Sequence, residues 1–270
     1  MRLKPQVRTV LAYVVVASLW IWLSNRVLLG LVHDTDTLSL LQSVKGTFFV
    51  VVTGGMLYVM IDRDIRRLAR TNRSLLEGNE QALRVLVHAM DIRHKETSDH
   101  SDRVMRMTVA LARLAGVQGD ELRKLRIGAL LHDIGKLALP DAILIKPGPL
   151  TPDEIALMRT HPRIGHDLLQ RVDFLRDVVE IPFSHHERWD GGGYPRGLCG
   201  EQIPLAARVF SVVDVWDALS FPRVYKPAWP EDEVLAYLQQ IAGSQLDPSV
   251  VALFLEHYEE VKRAGKSPED

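Results

Sequence analysis

At 270 residues the chain has room for one sizeable domain plus accessory segments. Its 33 basic and 34 acidic side chains leave a net charge of −1, which gives no basis for binding bulk nucleic acid. The single cysteine, Cys199, excludes an intrachain disulfide and a cysteine-based zinc finger.

Apolar residues are concentrated at the N-terminus. Thr9 to Ser24 reads TVLAYVVVASLWIWLS and Gly46 to Ile61 reads GTFFVVVTGGMLYVMI, both without charge. Each run is slightly short of the ~20 residues that cross a bilayer. Flanking residues make up the difference by snorkelling and local thinning. A cleaved signal peptide competes for the first run, but the apolar core is long and no clean small-x-small site follows it. Arg2, Lys4 and Arg8 precede the first run, and Arg63, Arg66, Arg67, Arg70 and Arg73 follow the second. The loop between, from about Asn25 to Lys45, carries only Arg26 and Lys45 as full cations and is too short for a folded sensor domain. Residues 1–62 are therefore expected to form a two-span hairpin with both ends cytoplasmic.

Residues 63–88 read as a connector helix. Ile65, Leu68, Asn72, Leu75, Asn79, Ala82 and Leu86 alternate in steps of three and four, a heptad seam of about three repeats. Asn72 and Asn79 share the heptad position of Ile65, and buried Asn pairs fix a parallel dimer in register. The alternative is a solvated arginine-rich helix.

From 89 to 265 the pattern is helical nearly throughout. Val104, Met107, Thr108, Leu111, Leu114 and Ala115 form one stripe; Leu122 to Leu131 forms a second helix, expected to end at Gly135. Thr151-Pro152-Asp153-Glu154 is a helix start, with Thr as cap, Pro at the first position and acids following. Ile203-Pro204 opens a helix through Leu219, and Glu231 to Ile241 and Pro248 to Lys262 are the last two. No alternating run is long enough for a sheet, so the domain is expected to be all-α.

Several chemistry-bearing residues are spread along these helices. His132-Asp133 ends an apolar helix; a lone His there fits a hydrogen-bonded core residue, but the adjacent carboxylate can bridge two cations while the imidazole binds one. His161 stands before Pro162, one turn into a helix. His185 and His186 adjoin at a helix end, where two imidazoles can face two different metals. Asp214 lies on an otherwise apolar helix face, where an unpaired carboxylate needs a cation; Asp217 follows three residues on, on the same side. Glu96 and His100, four apart, can grip one metal from a helix face or form an ordinary surface pair. Five imidazoles with carboxylates and no thiolate suit iron or manganese, and discriminate less well against zinc.

The segment from about His94 to Lys226 resembles an HD-GYP domain, the bacterial branch of the HD phosphohydrolases that degrades cyclic di-GMP. The matching residues are HDIGK (His132 to Lys136), KPGPLT (Lys146 to Thr151), His161-Pro162 with Gly165, HHERWDGGGYP (His185 to Pro195), Ile203-Pro204 with Arg208, and DVWDAL (Asp214 to Leu219). The resemblance implies an HD-type helical bundle with two or three divalent ions, expected to be iron or manganese. Their ligands would be His132, Asp133, His161, His185, His186 and Asp214, with Glu96 and His100 added in the three-metal subgroup. It implies Asp133 and Lys136 as catalytic, Lys136 reaching the scissile phosphate. Lys146, Asp217, Arg223, Tyr225 and Lys226 would contact the substrate. The family usually has Ser-Asp before that arginine and Pro after it; this chain has Phe221-Pro222 and Val224.

Hydrolysis of cyclic di-GMP to pGpG or GMP follows as the expected reaction, at the cytoplasmic face of a bacterial inner membrane. The glycine run before Tyr194 permits a tight turn; the loop of Gly193, Tyr194 and Pro195 is expected to shape the pocket or serve as a protein-partner surface. Two rivals stand beside this reading. One is a cyclic di-GMP receptor that signals through its coiled coil without turnover. The other is an HD phosphohydrolase acting on a different nucleotide.

Overall fold

The computed structural model describes residues 5–94, 100–222 and 227–266. Among them the fold is all-α, with no strand and only two isolated bridges, Asp190–Cys199 and Ala242–Leu246. Two compact units divide the chain, Met1–Leu75 and Leu76–Asp270.

The first unit holds helix α1 (Pro5–Leu31) and the greater part of α2 (Thr35–His94). Both helices are long and apolar enough to cross a membrane. Their apolar side chains, among them Val15, Trp22, Phe48 and Val51, are exposed rather than packed inward. Asp34 accepts from the Thr37 amide at 2.9 Å and so caps the start of α2. No proline interrupts α2, which runs through the expected boundary at 62/63 without a break.

In the second unit the last turns of α2 enter the core. Val87 and Met90 are buried, so these turns pack as part of the domain rather than as free connector. Arg93 grips what lies beyond. Its Nη1 donates to the Leu137 carbonyl at 3.1 Å, its Nη2 to that of Leu139 at 2.8 Å, and its Nε to Asp141 at 2.8 Å. One planar guanidinium thereby satisfies the carbonyls at the end of a short 3-10 turn, Ile134–Ala138.

Helix α3 (His100–Leu114) buries the expected stripe, with Val104, Met107, Thr108 and Leu111 fully covered. It packs on α4 (Gly119–Leu130) and on α9 (Leu205–Ser220). Between these lie α5 (Asp141–Leu144), α6 (Pro152–Met158), α7 (His161–Leu169) and α8 (Glu180–Ser184). Helix α9 is apolar nearly all round, burying Ala207, Val209, Phe210, Val212, Val213 and Trp216, which makes it the central helix. Helices α10 (Glu231–Ile241), α11 (Pro248–Glu256) and α12 (Tyr258–Ala264) close the far side.

Three boundaries differ from the sequence reading. Helix α4 stops at Leu130, so His132 and Asp133 sit in a turn ahead of the 3-10 segment, not on a helix. His161 is the first residue of α7 rather than one turn inside it. The last predicted helix breaks at His257, whose ψ of 22° leaves the helical region, and Tyr258 then packs its ring against Phe254 and Trp216. The capping box at Thr151 is present as expected: Glu154 N donates to the Thr151 hydroxyl at 3.3 Å, and Thr151 N to the Glu154 carboxylate at 2.7 Å.

Candidate metal centre

The centre begins with a close approach of backbones. A Cβ added to Gly135 would lie 2.0 Å from the His161 carbonyl oxygen and 2.6 Å from the Gly165 amide nitrogen. Only glycine lets the turn after His132-Asp133 lie flat on the first turns of α7. That contact carries Asp133 to His161: the His161 Nε2 is 3.2 Å from Asp133 Oδ1.

Asp133 is the hub, 5% exposed. Its Oδ1 also faces His185 Nε2 at 3.8 Å, while its Oδ2 lies 3.0 Å from His132 Nε2 and accepts from Lys136 Nζ at 2.5 Å. Two clusters of donor atoms flank it. His161, His185 and His186 form one; His100, His132 and Asp214 form the other, and within each the ligating atoms lie within 4.8 Å of one another. Asp133 touches members of both. Phe210, from α9, places its ring 4.8 Å from that of His132 and 5.9 Å from that of His185, an apolar floor under both clusters.

Tautomers follow from the backbone. His132 Nδ1 donates to the Ala129 carbonyl at 3.0 Å, His161 Nδ1 to that of Met158 at 2.8 Å, and His185 Nδ1 to those of Ile181 and Pro182 at 3.1 and 3.2 Å. A carbonyl only accepts, so each Nδ1 carries a hydrogen, and wherever the ring is neutral its Nε2 is left with a lone pair. His161 Nε2 and His185 Nε2 then face each other at 3.3 Å, with an Asp133 oxygen beside them. Three acceptors converging without a hydrogen between them repel unless a cation lies among them. The donor set, neutral imidazoles plus a bridging carboxylate, fits divalent metal ions.

Charge effects agree for His185 and His186. Burial, with the neighbouring His186, pushes His185 well below the usual imidazole range. Burial, with His161, takes His186 down to about 3. Both stay neutral at physiological pH, as ligation requires. Burial opposes the charged form of His132, but the Asp133 carboxylate outweighs it and lifts the group to about 9. Burial likewise opposes ionised Asp133, yet Lys136 and His132 hold it well below the usual carboxylate range. The position between His132 and Asp133 favours positive charge.

The HHE segment explains its own glycines. Glu187 is buried and its two oxygens accept from the amides of Arg196 at 2.7 Å and Leu198 at 3.0 Å, so this acid anchors the loop. A Cβ on Gly193 would meet the Arg188 nitrogen at 2.3 Å and the Glu187 Cα at 2.5 Å. Its requirement is steric, while the unusual dihedral expected of this glycine run falls on Gly191, at φ 81°. Gly193 thereby brings Tyr194 over His186, the rings stacked at 4.8 Å, with the Arg159 guanidinium 5.1 Å from the centre of the Tyr194 ring. Burial raises the Tyr194 hydroxyl to about 12. The Tyr194–Pro195 bond is cis.

Other expected residues fall differently. Asp217, 2% exposed, accepts from His100 Nδ1 at 2.6 Å and Arg103 Nε at 2.6 Å, one on each oxygen. Both oxygens are turned to protein groups, so the expected substrate contact gives way to support of His100. Burial opposes its charge, but His100 and Arg103 hold its carboxyl below the ordinary value. Lys146 donates to Glu154 at 2.6 Å and so ties its loop to the start of α6. Glu96, Arg223, Tyr225 and Lys226 lie outside the described residues. Sequence reasoning passed over Arg103 and Ser211, whose hydroxyl donates to the His185 carbonyl at 2.9 Å. Arg103 stands three residues after His100, the one signal that could have marked it.

With this geometry in place, comparisons with known proteins point the same way. The chain is 42% identical over 192 residues to the cyclic di-GMP phosphodiesterase response regulator RpfG of Xanthomonas campestris, covering 70% of this chain and 51% of that one. It is 37% identical over 188 residues to 3'3'-cGAMP-specific phosphodiesterase 2 of Vibrio cholerae, covering 69% and 36%. It is 36% identical over 192 residues to a cyclic di-GMP phosphodiesterase of Thermotoga maritima, covering 70% and 52%. The chain thus spans between 36% and 52% of the length of these curated relatives. The crystal structure of a cyclic GMP-AMP-specific phosphodiesterase from V. cholerae shares the fold, with a TM-score of 0.55 at 18% identity over 70% of this chain and 51% of that one. A family model described as HD domain matches residues 84–250, more than half of the chain and a span that takes in both donor clusters; the chain belongs to the HD-domain family.

Proposed function

We propose that this chain is a phosphodiesterase of the HD-GYP branch that opens cyclic di-GMP to pGpG or GMP. The observation that carries the reading is the bridging place of Asp133, in contact with both donor clusters. His161, His185 and His186 would hold one ion, His132, His100 and Asp214 another, and Asp133 both; Glu96 is the natural further ligand of a third. Iron or manganese suits this nitrogen and oxygen set. Bound there, such ions supply Lewis acidity and bring the pKa of a water toward neutrality.

The chain's own groups do the rest. Lys136 is half-buried beside Asp133, where its ammonium offsets charge growing on phosphate oxygens during in-line displacement. Asp133 keeps that ammonium aimed. Phe210 keeps the floor of the centre dry, which strengthens each charge interaction above it. Arg223, Tyr225 and Lys226 are the proposed contacts to the nucleotide phosphates, with Lys146 as a further candidate. The stack of Arg159, Tyr194 and His186 fixes the Gly193–Tyr194–Pro195 loop against the centre and offers a surface to a protein partner.

The N-terminal helices serve as a two-span anchor in a bacterial inner membrane, residues 1–62, with the catalytic unit cytoplasmic. The exposed seam of Ile65, Leu68, Leu75 and Leu86 supports a parallel homodimer through residues 63–88. A second reading of the substrate, 3'3'-cGAMP, rests on the Vibrio cholerae relatives of that specificity. Full-length protein purified anaerobically in detergent, loaded with manganese or iron and incubated with each dinucleotide, tests both. Chromatography is expected to show pGpG or GMP from cyclic di-GMP. An inert, fully metallated sample rejects catalysis, and tight binding without turnover turns the assignment to a receptor. Membrane fractionation tests the anchor.

A further inference from the structure

The donor cluster of His100, His132 and Asp214 is held in a way that the other is not. His132 leans on its own backbone, but His100 Nδ1 bonds the side chain of Asp217, more than a hundred residues away in the chain. Asp217 is nearly sealed from solvent, and an ionised carboxylate there needs a positive partner. Arg103 supplies it at 2.6 Å. Helix α3 sets this up, since His100 and Arg103 are three apart and share a face. Helix α9 mirrors it, with the ligand Asp214 and the supporter Asp217 also three apart.

Behind Arg103 lies Phe221. The guanidinium carbon stands 3.6 Å above the centre of its ring, and Trp216 meets the same ring edge-on at 6.0 Å. A planar cation stacked this closely is fixed in position and shielded on one face. The main chain helps, because the Phe221 amide donates to the Asp217 carbonyl at 3.2 Å and ends α9 at that point.

We propose that Arg103 and Phe221 are positioning residues for one metal site: Phe221 holds Arg103, Arg103 holds Asp217, and Asp217 keeps the His100 Nε2 turned toward the ion shared with His132 and Asp214. The inference rests on the metal reading given above. It assigns the two residues no contact with substrate. It also gives Phe221, where the chain departs from the family pattern, a physical task.

The test uses full-length protein in detergent, with manganese alone as the probe. Equilibrium dialysis with metal analysis gives stoichiometry and affinity, and electron paramagnetic resonance reports whether paired ions couple. Wild type is expected to bind at least two ions with an exchange-coupled spectrum. R103A is expected to weaken one ion by about 10–100-fold, the usual effect of losing a partner behind a ligand, and leave the other unchanged. Its spectrum is expected to become that of isolated manganese. R103K is expected to recover part of the affinity, through one charged bond without the stacked plane. F221L tests the ring alone and is expected to move the same ion by a smaller factor; it carries the test if R103A does not fold. Folded R103A and F221L that keep both ions at wild-type affinity overturn the proposal, and so does a loss of both ions in equal measure. A wild type that binds no manganese sinks the metal reading itself, a result distinct from either.

Discussion

The two donor clusters are built on different principles. In the cluster of His161, His185 and His186, the imidazoles of His161 and His185 are fixed by carbonyls of their own preceding turns, three or four residues back. In the cluster of His100, His132 and Asp214, His100 is fixed by a buried aspartate from another helix. In the first, local backbone geometry fixes each of these two rings, and packing of α7 on α8 brings them together. The second exists only after α3 and α9 have packed. The local cluster should therefore be the more tolerant of distant substitutions, and the assembled one the first to fail when the domain loosens.

The largest effect is expected where the clusters meet. Asp133→Asn keeps the shape but removes the charge that both clusters share. Phosphodiesterase activity should fall by about 10³-fold or more, equivalent to several kcal/mol of lost charge stabilisation. Metal content should fall with it. A D133N protein that retains a tenth of wild-type turnover at saturating manganese would remove Asp133 from the hub.

Separating the clusters comes next. His185→Ala and His100→Ala should each cost one ion per chain and spare the other. If H185A lost both while H100A lost neither, the assembled cluster would not be a site of its own. The comparison would then reduce to one centre with a remote histidine.

How far the sequence foretold all this follows the same division. His132-Asp133, His161, His185-His186 and Asp214 could be picked out because they stand together in motif strings that join imidazoles to carboxylates, and the structure brings their donor atoms close. The helix starts at Thr151 and Pro204, and the whole of Glu231–Ile241, were legible from capping chemistry and period. Arg103 was not, since an arginine on an amphipathic helix reads as a solvent-facing residue until its partner is known. Asp217 was noticed but given the wrong neighbour. Its partners come from a helix more than a hundred positions earlier, and periodicity reports only neighbours three or four away. The close approach of Gly135 to His161 was also invisible, although the glycine stands in the motif.

Gly135→Ala tests that approach. The added methyl would overlap the His161 carbonyl, so the 3-10 turn must lift from α7. A cost of about 1–3 kcal/mol is expected from overpacking. Thermal unfolding followed by circular dichroism should fall by roughly 2–4 °C for each kcal/mol. Asp133 also moves away from His161, so the local cluster should lose metal affinity as well. An unchanged melting temperature would mean that the turn and α7 are less tightly joined than their geometry shows.

The smallest expected effect concerns a buried acid that needs no metal. Asp247 is as sealed as Asp133, yet every neighbour of its carboxylate is a donor. Arg208 bonds it at 2.6 Å, the Ser249 amide and hydroxyl at 2.8 and 2.6 Å, and the Val250 amide at 3.4 Å, which caps α11. Burial raises its carboxyl, but Ser249 and Arg208 outweigh burial and hold it below the ordinary value. A depressed folded-state pKa gives stability that is fully present above the unfolded value of about 3.9 and is lost as pH falls through the folded one. Asp247→Asn should therefore cost about 1–3 kcal/mol at neutral pH. The gap to wild type should begin to close below about pH 4. Urea unfolding at several pH values, with and without a chelator, measures it. The gap should be blind to chelation, because Asp247 faces only donors, whereas Asp133 also stands against the imidazoles of both donor clusters. A chelator-sensitive gap would show that the two buried aspartates are not independent, and that the contrast between protein-satisfied and metal-seeking carboxylates has been drawn in the wrong place.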